Sequence, residues 1–233
     1  MKTIYAGTSG WSYASWRPQF YPEKLASAKF LAYYATRLNS VEVNYTFRHF
    51  PTAKLLNGWA SATPPNFQFS LKAPQTITHI KRLRNAGELA SQFVDALWPL
   101  QNAKKLGAVL FQLPPNLECD ADLLKDFLGE LPRSARAAFE FRHESWFCDA
   151  TLAELHKANA ALCHAESDKL ESPDVQTADF SYFRMRKESY STDARSKLAI
   201  KVRRLAKAGD VFLYFKHEDT PQGALYAEEF LQR

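Results

Sequence analysis

Eight short runs of β-branched and aromatic residues recur along this chain, and most of the stretches between them carry apolar residues at helical spacing. Strands alternating with helices from end to end pair in parallel, because a parallel neighbour is reached only through a crossover long enough to hold a helix. The runs cover residues 3–7, 40–43, 67–72, 108–112, 137–141, 161–164, 180–185 and 211–215. That number of strands closes a TIM (β/α)8-type barrel, so this α/β fold is expected, with an open sheet as the alternative. Four apolar stripes mark buried helix faces: Leu25, Ala28, Leu31, Ala35 and Leu38; Leu89, Phe93, Leu97 and Leu100; Leu123, Leu124, Phe127 and Leu131; Leu198, Val202 and Leu205. Asp120 predicts a helix N-cap, Gly209 a C-cap, and Pro99 a kink or break. Residues 166–179, polar and containing Ser172-Pro173, are too short for a full crossover helix. A degenerate connection, a loop or a single turn, is therefore expected between strands six and seven.

A barrel of this kind uses the whole length of 233 residues, and no repeat or linker interrupts it, so a single domain over residues 1–233 is expected. Hydrophobic residues at 46% and charged residues at 24% belong to a packed core and exclude a disordered tail. Cys119, Cys148 and Cys163 lie far apart with no Cys-x-x-Cys pair, which encodes neither a disulfide framework nor a thiolate zinc site and points to a reducing compartment. With no signal-peptide pattern and no apolar window of membrane-spanning length, a soluble, cytoplasmic protein is expected. The formal charge, 30 − 25 = +5, is a mild basic excess that suits an anionic ligand.

A strand alternates its faces, so one parity meets the helices and the other the barrel axis. Val41 and Val43 read as helix-facing, which sends Ser40, Glu42 and Asn44 inward; Phe139 and Phe141 likewise send Glu140 and Arg142 inward. The same logic turns Gln68, Ser70, Lys72, Gln112, Tyr182 and Arg184 to the axis, and leaves the last strand undecided between Tyr214 with Lys216 and Phe215 with His217. The inward polar residues bunch at the C-terminal strand ends, where the loops of this fold build their sites: Ser9, Glu42, Asn44, Lys72, Gln112, Glu140, Arg142 and Arg184. Buried charges must pair or meet a ligand, so the expectation is a binding pocket, and the alternative is an ion-pair layer that closes the barrel.

These strand ends also carry motifs. Gly7-Thr8-Ser9-Gly10-Trp11-Ser12-Tyr13 with Trp16 and Phe20-Tyr21-Pro22, and Asn39-Ser40-Val41-Glu42-Val43-Asn44 with Thr46-Phe47, resemble the opening motifs of the YecE-like family, domain of unknown function 72. Lys72-Ala73-Pro74 with Ile77-Thr78-His79, Phe111-Gln112-Leu113-Pro114-Pro115 and Glu140-Phe141-Arg142-His143-Glu144-Ser145-Trp146 continue the match over nearly the whole chain. The resemblance implies a TIM barrel and implies no reaction. The chain departs from the family wording after the seventh strand, where Arg184-Met185-Arg186-Lys187 stands in place of Arg-x-His-Gly.

Glu42 and Glu140, on strands two and five, are candidates for a facing acid/base pair of the kind glycoside hydrolysis uses, and His79 is a candidate general acid/base. Each glutamate equally suits the role of a counter-ion. The residues expected to bind substrate are Ser9, Trp11, Asn44, Lys72, Gln112, Arg142, His143, Trp146 and Arg184, the cations for an anionic group and the aromatics for stacking on a sugar-like ring. Tyr13, Trp16 and Phe47 share that loop setting, and the amides around Gly7, Ser9 and Gly10 are placed to meet an anion. Glu42, Glu140, His143, His164 and His217 include metal-ligand types but no ligand spacing, and no phosphate-cradling glycine loop occurs, so neither a metal nor a cofactor is expected. Lys81, Arg82 and Arg84, and Arg195, Lys197, Lys201, Arg203, Arg204 and Lys207, form basic clusters that suit nucleic acid or a solvated face. The leading expectation is an enzyme with hydrolase-like acid/base chemistry acting on a small anionic or sugar-like substrate. A nucleic-acid-binding or processing protein and a non-catalytic ligand-binding barrel are the alternatives, with no membrane partner and an open oligomeric state.

Overall fold

The computed structural model describes residues 2–166, 170–216 and 219–232. Eight parallel strands, β1 (Ile4–Thr8), β2 (Ser40–Val43), β3 (Gln68–Lys72), β4 (Leu106–Gln112), β5 (Ala137–Glu140), β6 (Ala161–Ala165), β7 (Phe180–Met185) and β8 (Asp210–Phe215), form one sheet ordered β1-β8-β7-β6-β5-β4-β3-β2. Between them run α1 (Phe30–Arg37), α2 (Ala53–Ser61), α3 (Gly87–Ala96), α4 (Trp98–Asn102), α5 (Ala121–Glu130), α6 (Asp149–Lys157) and α7 (Thr192–Leu205), and α8 (Gln222–Gln232) follows β8. None of these helices is long and apolar enough to cross a membrane.

Local chemistry sets the boundaries. Asp120 Oδ1 accepts the Leu123 N–H at 3.0 Å and starts α5 as expected. Pro99, which has no N–H to donate, sits in the first turn of α4 and divides it from α3. Gly209 is not a cap, since α7 ends at Leu205 with Ala206 in that role; instead, a Cβ at Gly209 would lie 1.9 Å from the Asp179 carbonyl oxygen. The described part of the β6–β7 connection holds no helix, in line with the short polar segment there. The four stripes leave α2, α6 and α8 unmarked, and α2 and α6 show why: their buried faces are narrow, Leu56 with Trp59, and Thr151 with Leu155.

Nearly closing the barrel falls to side chains. Among the described residues β1 meets β2 through one ladder bridge, Ser9 with Glu42. Below it, Asn39 substitutes for a strand edge, its Oδ1 accepting the Ala6 N–H at 2.8 Å and its Nδ2 donating to the Ile4 carbonyl at 2.9 Å. The Tyr34 hydroxyl accepts the Thr8 N–H and donates to the Ser40 carbonyl, both at 2.9 Å. Gly7 permits this approach, since a Cβ there would lie 1.9 Å from Ser40 O.

Two apolar clusters follow from strand parity. The larger lies between sheet and helices; the smaller fills the barrel with Ala108, Leu110, Ala138, Ala161, Cys163, Phe180, Tyr182, Phe212 and Tyr214. The undecided last strand therefore turns Phe212 and Tyr214 inward, and Tyr214 Oη lies 2.6 Å from Ser40 Oγ and 2.9 Å from Ser70 Oγ. Up β7 the interior changes from Phe180 through Tyr182 to Arg184, apolar at the bottom and charged at the mouth.

Candidate functional site

The C-terminal ends of β2, β5 and β7 bring Glu42, Glu140 and Arg184 together with no more than 2% of any of them exposed. Arg184 lies between the two carboxylates. It donates from Nη2 and Nε to Glu42 Oε1 at 2.7 and 3.2 Å, and from Nη1 to Glu140 Oε2. Glu42 also accepts Ser9 Oγ and Tyr182 Oη, each at 2.7 Å. Glu140 Oε1 accepts Arg142 Nε at 2.7 Å and Arg186 Nη1 at 3.2 Å. Burial alone pushes the Glu140 carboxyl upward, but the Arg184, Arg142 and Arg186 guanidiniums outweigh it and hold the group at about 2. The ion-pair layer is thus present as a satisfied floor.

Above it opens a cavity of about 440 Å3. Its wall carries Arg48, Lys72, Arg142, Arg184, Arg186 and Lys216, and no carboxylate among the described residues. Lys72 donates to Gln112 Oε1 at 2.7 Å, and its Nζ sits 4.0 Å from the centre of the Phe47 ring. Burial, then the Arg184 charge, pulls the Lys72 ammonium down to about 8, against the opposing pull of Glu42 and Glu140. Asn44 also lines the wall, with its Oδ1 buried and without a hydrogen-bond partner among the described residues. At the rim, Tyr45 stacks on His49 at 4.6 Å. A narrower cavity of about 210 Å3 lies on the far side of Arg142 and Arg186, and there Glu140 reaches the wall.

Lys72, Gln112, Arg142, Arg184 and Asn44 of the expected set meet around one space, while Glu42 and Ser9 lie beneath it. His79 stands behind the wall on a π-helical turn, Thr76–Ile80, edge-on to Phe47 at 5.0 Å, and burial followed by the Lys72 charge lowers its pKa. The tryptophans do not join the site. Trp146 and Trp16 are fully buried in the outer core, Trp146 stacked on Phe141 with its indole N–H on the Leu117 carbonyl, and Trp11 packs edge-on against Trp59. His143 accepts the Ser145 N–H as the cap of a short turn and lines neither cavity. His164 lies outside the barrel, stacked on Phe183 at 4.5 Å, and His217 falls outside the described residues. Among the described residues no group of three or more His, Cys, Asp or Glu side chains is placed to hold a metal ion. Much of the second basic cluster is neutralised: Arg195 by Glu229, Lys197 by Asp193, and Lys201 with Arg204 by Asp174. In the first, Arg84 pairs with Asp120. Sequence reasoning missed Arg48 and Arg186 and left Lys216 undecided. Arg186 was within reach by the period of two that placed Tyr182 and Arg184, and Lys216 follows once Tyr214 is known to point inward.

Residues 5–233 match the profile of a family described as "Protein of unknown function DUF72". The chain belongs to that family. Among curated relatives, YunF of Bacillus subtilis is 33% identical over 154 residues, covering 62% of this chain and 52% of the relative. YecE of Escherichia coli K12 is 31% identical over 145 residues, covering 62% and 50%. The matched stretch thus spans about half the length of these relatives. A solved DUF72 family protein from Thermotoga maritima superposes with a TM-score of 0.87 at 26% identity, covering 99% of this chain and 98% of that one. A second, from Enterococcus faecalis, has the same fold at a TM-score of 0.78 and 19% identity, over 100% and 97%. In this DUF72 chain Arg186, where the resemblance leads one to expect histidine, adds its charge to the Glu140 cluster.

Proposed function

We propose that this DUF72 protein binds a small phosphate- or carboxylate-bearing molecule, sugar-like in size, at the mouth of its barrel, and that acid/base chemistry on that molecule runs through Lys72. The observation that carries the reading is the cavity wall, six cations without a carboxylate among the described residues, three of which, Arg142, Arg184 and Arg186, share the two carboxylates of the floor, so that positive charge is in excess. Arg142 and Arg186 supply guanidinium forks that suit an oxyanion, and Phe47 offers an apolar ring face beside them. A volume of about 440 Å3 lies in the range of small-molecule sites. Glu42 and Glu140 take the part of counter-ions: Glu42 is engaged by Arg184, Ser9 and Tyr182, and the Glu140 carboxyl, held at about 2 and engaged by three guanidiniums, is a weak base and a poor proton reservoir near neutral pH. Lys72, at about 8, is poised to exchange a proton there, with His79 close behind.

Calorimetric titration with phosphorylated sugars and sugar acids tests this. Saturable binding is expected, weakened about 10- to 100-fold in Arg186→Ala, the size of one lost charge-assisted hydrogen bond. Binding unchanged in that variant, or confined to oligonucleotides with a steep salt dependence, overturns the proposal.

A further inference from the structure

Cys119 and Cys148 are 29 positions apart in sequence, yet their sulfurs lie 3.9 Å from one another. Both sulfurs also lie 3.4 Å from the Thr151 hydroxyl. Cys119 sits in the loop that leads β4 into α5, beside the capping Asp120, while Cys148 is the N-cap residue of α6. The loops after β4 and β5 are also joined by the Cys119 N–H, which donates to Ser145 Oγ at 2.8 Å, and by the Trp146 indole N–H on the Leu117 carbonyl. Both thiols are free and half-buried, whereas Cys163 is sealed inside the barrel.

The two sulfurs are not equivalent. Hydrogen bonds from Thr151 lower the Cys148 thiol from its usual range, and the N-terminus of α6 adds the favourable end of its dipole. Burial raises Cys119. A disulfide has its sulfurs about 2.05 Å apart, so the two sulfurs, already in van der Waals contact, have about 2 Å left to close. We propose that Cys119 and Cys148 form a reversible dithiol–disulfide site, in which Cys148 meets a two-electron oxidant such as hydrogen peroxide and Cys119 closes the bond. The Cys148 thiolate attacks one peroxide oxygen, the O–O bond breaks, and hydroxide leaves with a sulfenic acid on Cys148. The Cys119 sulfur then displaces the sulfenic hydroxyl as water. Two thiols are oxidised, one peroxide is reduced to two waters, and an added dithiol reverses the change. The bond ties the β4–α5 loop to the start of α6, on the side of the barrel mouth that carries Arg142. The site makes no use of the anion cavity and stands or falls separately from it.

The test is peroxide treatment of the reduced protein, followed by denaturation, alkylation and mass analysis. A monomer lighter by two hydrogens is expected, with alkylation falling from three cysteines to one, Cys163, and a peptide pair joining 119 to 148 that dithiothreitol releases. In Cys119→Ser, a dimedone adduct at Cys148 is expected in place of the crosslink. In Cys148→Ser, neither product is expected. Full alkylation of all three cysteines after treatment, crosslinks only between molecules, or first labelling of Cys119 in Cys148→Ser overturns the proposal.

Discussion

The bottom and the mouth of the barrel are built on the same strands and obey the same alternation, yet they are held together by opposite means. At the bottom Phe180, Phe212, Ala108, Ala138 and Ala161 exclude water, and Tyr5 stacks on Phe212 at 5.0 Å. Such packing is non-directional and indifferent to pH. At the mouth Arg184, Glu42 and Glu140 are as fully buried, but their stability rests on each charge keeping its partners. The lesson is that burial alone does not distinguish core from site in this protein. The mouth differs because its pairing leaves a surplus of positive charge facing the cavity.

The largest expected effect breaks that pairing. Arg184→Met leaves the buried Glu42 with no cation partner among the described residues and Glu140 with only Arg142 and Arg186, and is expected to cost about 3–5 kcal/mol in denaturant unfolding. Phe212→Ala at the bottom is expected to cost a similar amount, about 3–5 kcal/mol, through the cavity it leaves. The two are separated by acid. Glu140 has a folded pKa of about 2 against an ordinary value of 4.5, so its stabilisation is complete above 4.5 and drains away as pH falls towards 2. The whole change is worth roughly 3 kcal/mol, of which about 2 kcal/mol is gone by pH 3, and unfolding curves at pH 6 and pH 3 should show that loss in wild type and Phe212→Ala but little in Glu140→Gln. A smaller effect concerns the cavity. Because Lys72 gives up its proton near 8, anion affinity is expected to fall about tenfold between pH 7 and pH 9, and Lys72→Met should flatten that slope in the same titration.

Strand parity made much of this legible without coordinates, because Val41 with Val43 and Phe139 with Phe141 could face only the helices, which fixed Glu42 and Glu140. It failed where parity has no purchase. Trp146 and Trp11 lie in loops after the strands, and nothing in a loop sequence separates a ring offered to a ligand from one laid on Phe141 or Trp59. Lys216 was hidden because Tyr214 and Phe215 are equally apolar neighbours, and only the hydrogen bonds of Tyr214 to Ser40 and Ser70 decide between them. The Cys119–Cys148 proximity is a product of adjacent strand ends, invisible to any reading of spacing along the chain.

The seam between β1 and β2 carries a last consequence. Its one ladder bridge among the described residues runs through Glu42, the same residue that grips Arg184 in the cavity floor. The hoop that keeps the staves together is therefore fastened at the point where a guest would press. Binding of the proposed anion at the mouth would stabilise the folded chain as a whole, and the seam with it.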